Sequence, residues 1–292
     1  VIDAHHHIWD LANDLPWLKE VRIPFRYGDY SPICRNYMPA DYRADTKGWP
    51  VTGSVYVEAE WARGKAALES PWVAAVAARE GVPSVIVAWC DFAAPEAGAL
   101  LASHAAVPIV RGVRHKPAAA GKPADARRGA PGSMDDPRWR EGYALLARHG
   151  LSYDLQTPWW HLDAAADLAR DFPATQIIVN HTGLPADRTP EALAAWRRAL
   201  ERAAAQPNIA LKISGIGLPG RPWTVEANGP VIRDAITIFG LDRAMFASNF
   251  PVDGLVGDFD TIFTGFLTAT AAISESERDR LFHDNARRIY RF

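Results

Sequence analysis

The sequence predicts an α/β fold, a single (β/α)8 TIM barrel with long loops after strands 1 and 4. Three observations lead there. Eight short, nearly continuous apolar stretches are each followed by sequence of helical character, as in a parallel sheet buried on both faces. Eight such units account for residues 1–292 as one domain, the length of a closed barrel. No glycine-rich phosphate turn follows the first stretch, which disfavours an open doubly wound sheet.

The first strand carries the chain's densest chemistry, Val1-Ile2-Asp3-Ala4-His5-His6-His7-Ile8-Trp9-Asp10. Alternation places Asp3, His5 and His7 on one face and Ile2, Ala4 and His6 on the other. His5 and His7 then lie about 7 Å apart, from ~3.3 Å rise per residue. That spacing suits two ligands of one metal, or two groups gripping one polarised substrate atom. An affinity tag would be longer and flanked by linker, whereas Asp3 and Trp9 frame this cluster. His6 is expected to pack against a helix.

Residues 9–50 are rich in proline and aromatics and lack clear periodicity, the mark of a lid or binding loop. Trp17, Arg26 and Tyr27 in it are expected on the pocket wall. The next strands are expected at 51–60, 83–91, 107–116, 151–157, 175–183, 208–217 and 244–253. Helices are expected at 64–80, 95–105, 137–149, 161–171, 190–206 and 228–240, with a helical tail over 257–292. A second long loop, 117–136, is rich in Gly, Pro, Ala and Arg. In a barrel, chemistry sits at the C-terminal ends of the strands, and polar residues collect there. Beyond His5 and His7 these are Glu58, Glu60, Arg114, His115, Gln156, His181, Lys212, Ser214, Asn249 and Asp253. A ring of buried charges is hard to explain as core, because each needs a partner.

A net charge of −2 and a pI near 6.5 point to no nucleic acid and no anionic membrane. Two cysteines, Cys34 and Cys90, form no disulfide framework or thiolate zinc motif and fit a reducing compartment. No apolar run has the length of a membrane span, and the opening strand does not read as a signal peptide. The expected location is cytoplasmic. Eleven tryptophans, several in expected loops, fit aromatic pocket walls as well as plain packing. The expected partner is a small-molecule substrate; a homo-oligomer is compatible with the sequence.

Four pieces together resemble the amidohydrolase superfamily: residues 2–10, Arg111-Gly112-Val113-Arg114-His115, Asn180-His181-Thr182-Gly183 and Phe246-Ala247-Ser248-Asn249-Phe250-Pro251. The branch they resemble holds 2-pyrone-4,6-dicarboxylate lactonase, L-fucono-1,5-lactonase and 4-sulfomuconolactone hydrolase. The resemblance implies a hydrolase that opens the lactone of a sugar acid or an aromatic-catabolism intermediate by attack of water. It implies that His5, His7 and His181 polarise the ester carbonyl, either through one divalent metal (zinc or manganese) that they ligate, or without metal. An aspartate at the end of strand 8 takes the proton from water in such relatives. Glu58, Arg114 and His115, with the loop residues Trp17, Arg26 and Tyr27, are the substrate-binding candidates, since an Arg fork suits a carboxylate or hydroxyl.

Two departures stand out. Strand 5 reads Tyr153-Asp154-Leu155-Gln156-Thr157 with no histidine, and Lys116 lies past the end of strand 4. The family's strand 8 motif is Gly-Ser-Asp-aromatic-Pro, and here the aspartate position holds Asn249. An amide cannot act as a general base, which leaves Asp253 or Glu58, with Asn249 orienting water or substrate. The competing readings are a decarboxylase or hydratase of the same superfamily, and a catalytically silent barrel that binds a small acid. A serine-nucleophile hydrolase is disfavoured because no Gly-x-Ser-x-Gly elbow is present.

Overall fold

Residues 1–292 are described by a computed structural model. Eight parallel strands pair in chain order: β1 Ile2–His6, β2 Gly53–Val57, β3 Val85–Trp89, β4 Val110–His115, β5 Ser152–Leu155, β6 Ile177–Val179, β7 Ile209–Ile213 and β8 Ala244–Phe246. The helices are α1 Pro16–Lys19, α2 Pro39–Asp45, α3 Ala66–Glu80, α4 Ala97–Ala105, α5 Pro137–Tyr143, α6 Leu145–Arg148, α7 Leu162–Asp171, α8 Pro190–Ala204, α9 Val225–Phe239, α10 Phe259–Ala269, α11 Glu275–Asp279 and α12 Asn285–Tyr290. This is the (β/α)8 barrel that the apolar pattern predicts.

Two apolar layers hold it. Small and β-branched side chains fill the barrel, among them Ala4, Val55, Val87, Ile178 and Ala210. They meet Ala286, Ile289 and Tyr290 of α12, which plug the end of the barrel opposite the site. A larger layer lies between strands and outer helices, where Tyr56, Ile86, Val113, Leu155 and Phe246 pack. Local chemistry sets the helix ends. Thr189, Thr224 and Asp258 cap α8, α9 and α10 through their side-chain oxygens. Gly81, at φ +75°, ends α3 in the left-handed conformation that glycine accepts readily.

The first strand departs from simple alternation. Its pairing register shifts between Asp3 and His6, the signature of a bulge. Ile2 and Ala4 face the barrel interior. Asp3 instead meets Tyr42 of α2, and His6 stacks on the same ring with centroids 4.2 Å apart. Asp3 therefore does not share a face with His5 and His7, and Ile2 and Ala4 do not share one with His6. The expectation that His6 packs on a helix holds.

The strands are also shorter than their apolar runs suggest. Their polar ends, among them Glu58, Gln156, His181 and Asn249, lie just past the pairing, where the chain turns over the barrel mouth. The 9–50 segment is less irregular than expected, since it contains α1 and α2. Pro39 opens α2 at its first turn, where its missing N–H is harmless.

Closure between β1 and β8 rests on a carboxylate. Asp3 accepts from Ser248 N at 2.8 Å, Ser248 Oγ at 2.6 Å and Tyr42 Oη at 2.8 Å. Beside it Asn249 N donates to His5 O, and His7 N to Phe250 O, each at 2.7 Å. Replacement Asp3→Ala leaves those buried donors without an acceptor. It should cost about 3 kcal/mol or more, the scale of several hydrogen bonds to one charged group. Denaturant unfolding measures this, and a loss below about 1 kcal/mol would show that the seam closes without Asp3.

Candidate active site

The bulge sends His5 and His7 toward the barrel axis. The His5 ring lies 5.0 Å from that of His7 and 4.7 Å from that of His181, centroid to centroid. His181 reaches this cluster because the turn Asn180–Gly183 is left-handed, with φ of 55° at His181 and 52° at Thr182. Glu60 (φ 59°) and Asn249 (φ 57°) leave their strands in the same way. Left-handed backbone at non-glycine residues costs energy and gathers at functional sites. At Gly215 (φ +57°) an added Cβ would strike Arg26 Nη1 and His181 Nδ1, so only glycine allows those groups so close.

Hydrogen bonding settles what the imidazoles offer. His7 Nδ1 lies 2.7 Å from the Val57 carbonyl and must donate, which leaves Nε2 as a lone pair. His181 Nδ1 lies 2.9 Å from Ser214 Oγ. Both ring nitrogens of His5 are buried with no partner. Burial, reinforced by Lys212 at His5, Arg114 at His7 and Arg26 at His181, pushes all three well below the ordinary histidine range. They are neutral at pH 7. Neutral imidazoles, one of them oriented by a backbone carbonyl, fit zinc or manganese in donor type. No three His, Cys, Asp or Glu side chains close on one point as a preformed ligand cluster.

A cavity of 280 Å³ opens above these rings. Of the expected site residues, His7, His181, Asn249, Arg114, Trp17 and Arg26 line it. His5, Glu58, Asp253 and Tyr27 do not reach the wall and stand behind it. His115 lies elsewhere, in an adjoining cleft, where it accepts from Trp139 Nε1 at 2.8 Å. That bond turns its ring away from the cavity.

Two of the groups behind the wall, Glu58 and Asp253, each hold one on it. Glu58 Oε1 accepts from Arg114 Nε at 2.7 Å and the Glu58 carbonyl from Nη2 at 2.6 Å, while Gln156 takes Nη1 at 3.1 Å. Glu58 Oε2 also accepts from Glu60 N at 2.8 Å. Asp253 Oδ1 accepts from Asn249 Nδ2 at 2.6 Å and from Tyr27 Oη at 3.0 Å, and Oδ2 from Gly215 N at 3.0 Å. Burial pushes Asp253 up to about 6, against the pull of Arg26 and these bonds.

Sequence reasoning did not foresee a cavity role for Lys116, which contacts Glu60 across the wall. Burial pushes Glu60 up, but Lys116 and Arg114 outweigh it and hold the carboxyl at about 2. Nor did it foresee the clamp on the Ala59 peptide. Glu69 Oε1 accepts from Ala59 N at 2.6 Å, and Trp17 Nε1 donates to Ala59 O at 2.9 Å. Proximity in sequence signals neither contact.

Below His5, Lys212 and Asp154 form a fully buried ion pair at 2.6 Å, and Tyr290 Oη donates to the same carboxylate at 2.8 Å. Lys212 thus belongs to the barrel interior rather than the cavity wall. Replacement Lys212→Met strands Asp154 as an unpaired buried charge and should cost about 3–5 kcal/mol. The double replacement Lys212→Met with Asp154→Leu should recover most of that loss in the same unfolding assay. Two single losses that simply add would mean that the pair is not coupled.

Comparison with known proteins bears on the whole chain. A family model described as amidohydrolase matches residues 2–292. The Sinorhizobium fredii protein y4mH is 42% identical over all of this chain and 98% of its own length. An L-fucono-1,5-lactonase from Burkholderia ambifaria is 26% identical, with 99% of this chain and 95% of that protein covered. A crystal structure of an amidohydrolase from Burkholderia multivorans with bound zinc superposes at a TM-score of 0.80. It is 25% identical, covering 100% of this chain and 99% of that one.

Proposed function

The chain belongs to the amidohydrolase family, and on that premise we propose that it is a lactonase, which opens a lactone or related cyclic ester by attack of water. The observation that carries this reading is a cluster of three neutral imidazoles, two of them on the wall of one small cavity, with a buried carboxylate of raised pKa directly behind Asn249 on that wall. The similarity to an L-fucono-1,5-lactonase over nearly the full length supports the ester class. A sugar acid or an aromatic-catabolism intermediate supplies a ring of suitable size for 280 Å³.

Ester hydrolysis needs a base near its working pH and a stabiliser for the oxyanion. Asp253 meets the first need. Its Oδ2 accepts a single hydrogen bond, which leaves one lone pair; because Asp253 stands behind the wall, the water must enter beside Asn249 to reach it. Asn249 is anchored through its Nδ2 on Asp253, which frees its own carbonyl oxygen to hold that water. Arg114, fixed and charge-compensated by Glu58 and held by Gln156, lines the cavity, where a remaining N–H can donate to a substrate oxygen. A divalent ion on His5, His7 and His181 would polarise the ester carbonyl. The aromatic residues Trp9, Trp17 and Phe25 make part of the cavity wall apolar.

The test is turnover on a panel of lactones. Asp253→Asn should lower kcat by roughly a hundredfold or more, the scale of lost acid–base catalysis, while Asn249→Ala should cost less. Near-normal turnover by Asp253→Asn would move the base elsewhere.

The pH profile gives an independent check. A base with its pKa near 6 is protonated below that pH and inactive. Accordingly kcat/KM should fall about tenfold per pH unit below pH 6. A profile flat down to pH 4.5 would exclude Asp253 as the proton acceptor.

A further inference from the structure

A second cavity, of 260 Å³, lies beside the first and shares Arg26 and Leu184 with it. Its walls come from the loops that follow β1, β4, β5, β6 and β7. Trp160 Nε1 donates to Ala120 O at 2.9 Å, and Ala120 N to His161 Nε2 at 2.9 Å, which ties two of those loops together. None of the lining residues is acidic, and two are arginines, Arg26 and Arg188.

These arginines are not equivalent. Arg26 is tied down at Gly215 O, 2.5 Å away, and feels the Asp253 carboxylate. Arg188 has no carboxylate partner. Its Nη2 donates to Ile216 O at 2.7 Å and meets Asn228 Oδ1 at 3.4 Å, while Nε and Nη1 are buried with no acceptor. The comparable guanidinium of Arg114 has a glutamate on it. Leaving a guanidinium in a desolvated position without counter-charge is costly. Arg188 is half-buried and lines this cavity, so a guanidinium without counter-charge stands beside space that an anion can enter.

We propose that the side cavity is a carboxylate subsite in which Arg188 receives the anion, next to the ring-opening site. Leu184 and Arg26 form the boundary between the two cavities, so one ligand can span both. The carboxylate belongs either to an arm of the lactone itself or to a separate small acid bound beside it. The first form rests on the lactonase reading; the site itself does not.

The experiment compares wild type with Arg188→Met and Arg188→Lys on paired lactones that differ by one carboxylate substituent. With the arm on the substrate, Arg188→Met should raise KM for the acidic lactone roughly tenfold or more, the scale of a lost charge-assisted hydrogen bond. Meanwhile kcat should stay within about twofold, as expected for uniform binding. The neutral lactone should be unaffected, and Arg188→Lys should restore part of the loss.

With a separate acid, citrate should change turnover of the neutral lactone in wild type and not in Arg188→Met. Equal effects of Arg188→Met on both lactones overturn the proposal, as does no effect on either together with silence towards citrate. If no lactone is turned over, the lactonase reading fails alone. Thermal unfolding with citrate then decides the site. Stabilisation of wild type that is lost in Arg188→Met supports it; the same shift in both proteins, or none, overturns it.

Discussion

The seam between β1 and β8 is the constraint on which the site depends. A barrel closes only if its last strand finds the register of its first. Here the register is fixed by Asp3, whose carboxylate holds Ser248 through backbone and side chain. The same seam bonds Asn249 to His5 and His7 to Phe250 through the main chain. Two histidines and the residue that anchors on Asp253 are therefore set relative to one another by backbone geometry. The bulge in β1 is the local consequence. It turns Asp3 outward to Tyr42 while His5 and His7 stay toward the axis.

Charge inside the barrel is stacked in pairs above the α12 plug. Tyr290 donates to Asp154, Asp154 pairs with Lys212, and higher up Glu58 pairs with Arg114. Each cation is neutralised by a carboxylate at hydrogen-bond distance, which is what makes such deep burial tolerable. The cations still act on the imidazoles between them. Together with burial they remove any tendency of His5, His7 and His181 to protonate. A protonated cluster would repel a metal ion and bind anions unselectively. A neutral one offers lone pairs.

The barrel was legible because its strands are apolar runs with helical sequence between them, and periodicity reports that directly. The ring of polar residues was legible for the same reason, since each interrupts an apolar run at its C-terminal end. The β1 bulge was not. It contains no glycine or proline to mark it, and its cause, Ser248, lies at the other end of the chain. The pairing of Lys212 with Asp154 was hidden because alternation gives a face but not a partner. Arg188 was invisible for a related reason: nothing in a loop sequence tells a solvated arginine from one buried without an acceptor. His115 shows the reverse error, because a residue at a strand end can still turn away when an indole claims its ring nitrogen.

Asn249 looks at first like a lost catalytic group, and its partner shows why it is not simply a loss. Its amide nitrogen lies 2.6 Å from Asp253 Oδ1. Two carboxylates at that distance cannot both be ionised, so one would keep a proton and the pair would titrate as a unit. With asparagine at 249 the contact is a plain N–H to carboxylate hydrogen bond, which favours the ionised form of Asp253. Burial opposes that preference, and the balance leaves Asp253 near 6. The carboxylate of Asp253, four residues along the chain, lies in a turn where Tyr27, Asn249 and Gly215 all point donors at it. The amide at 249 is thus one of several groups, with Arg26 the first of them, that favour the ionised form of Asp253 against its burial. In the proposed hydrolysis, proton acceptance would fall to Asp253 and water orientation to Asn249, two roles that one carboxylate could combine.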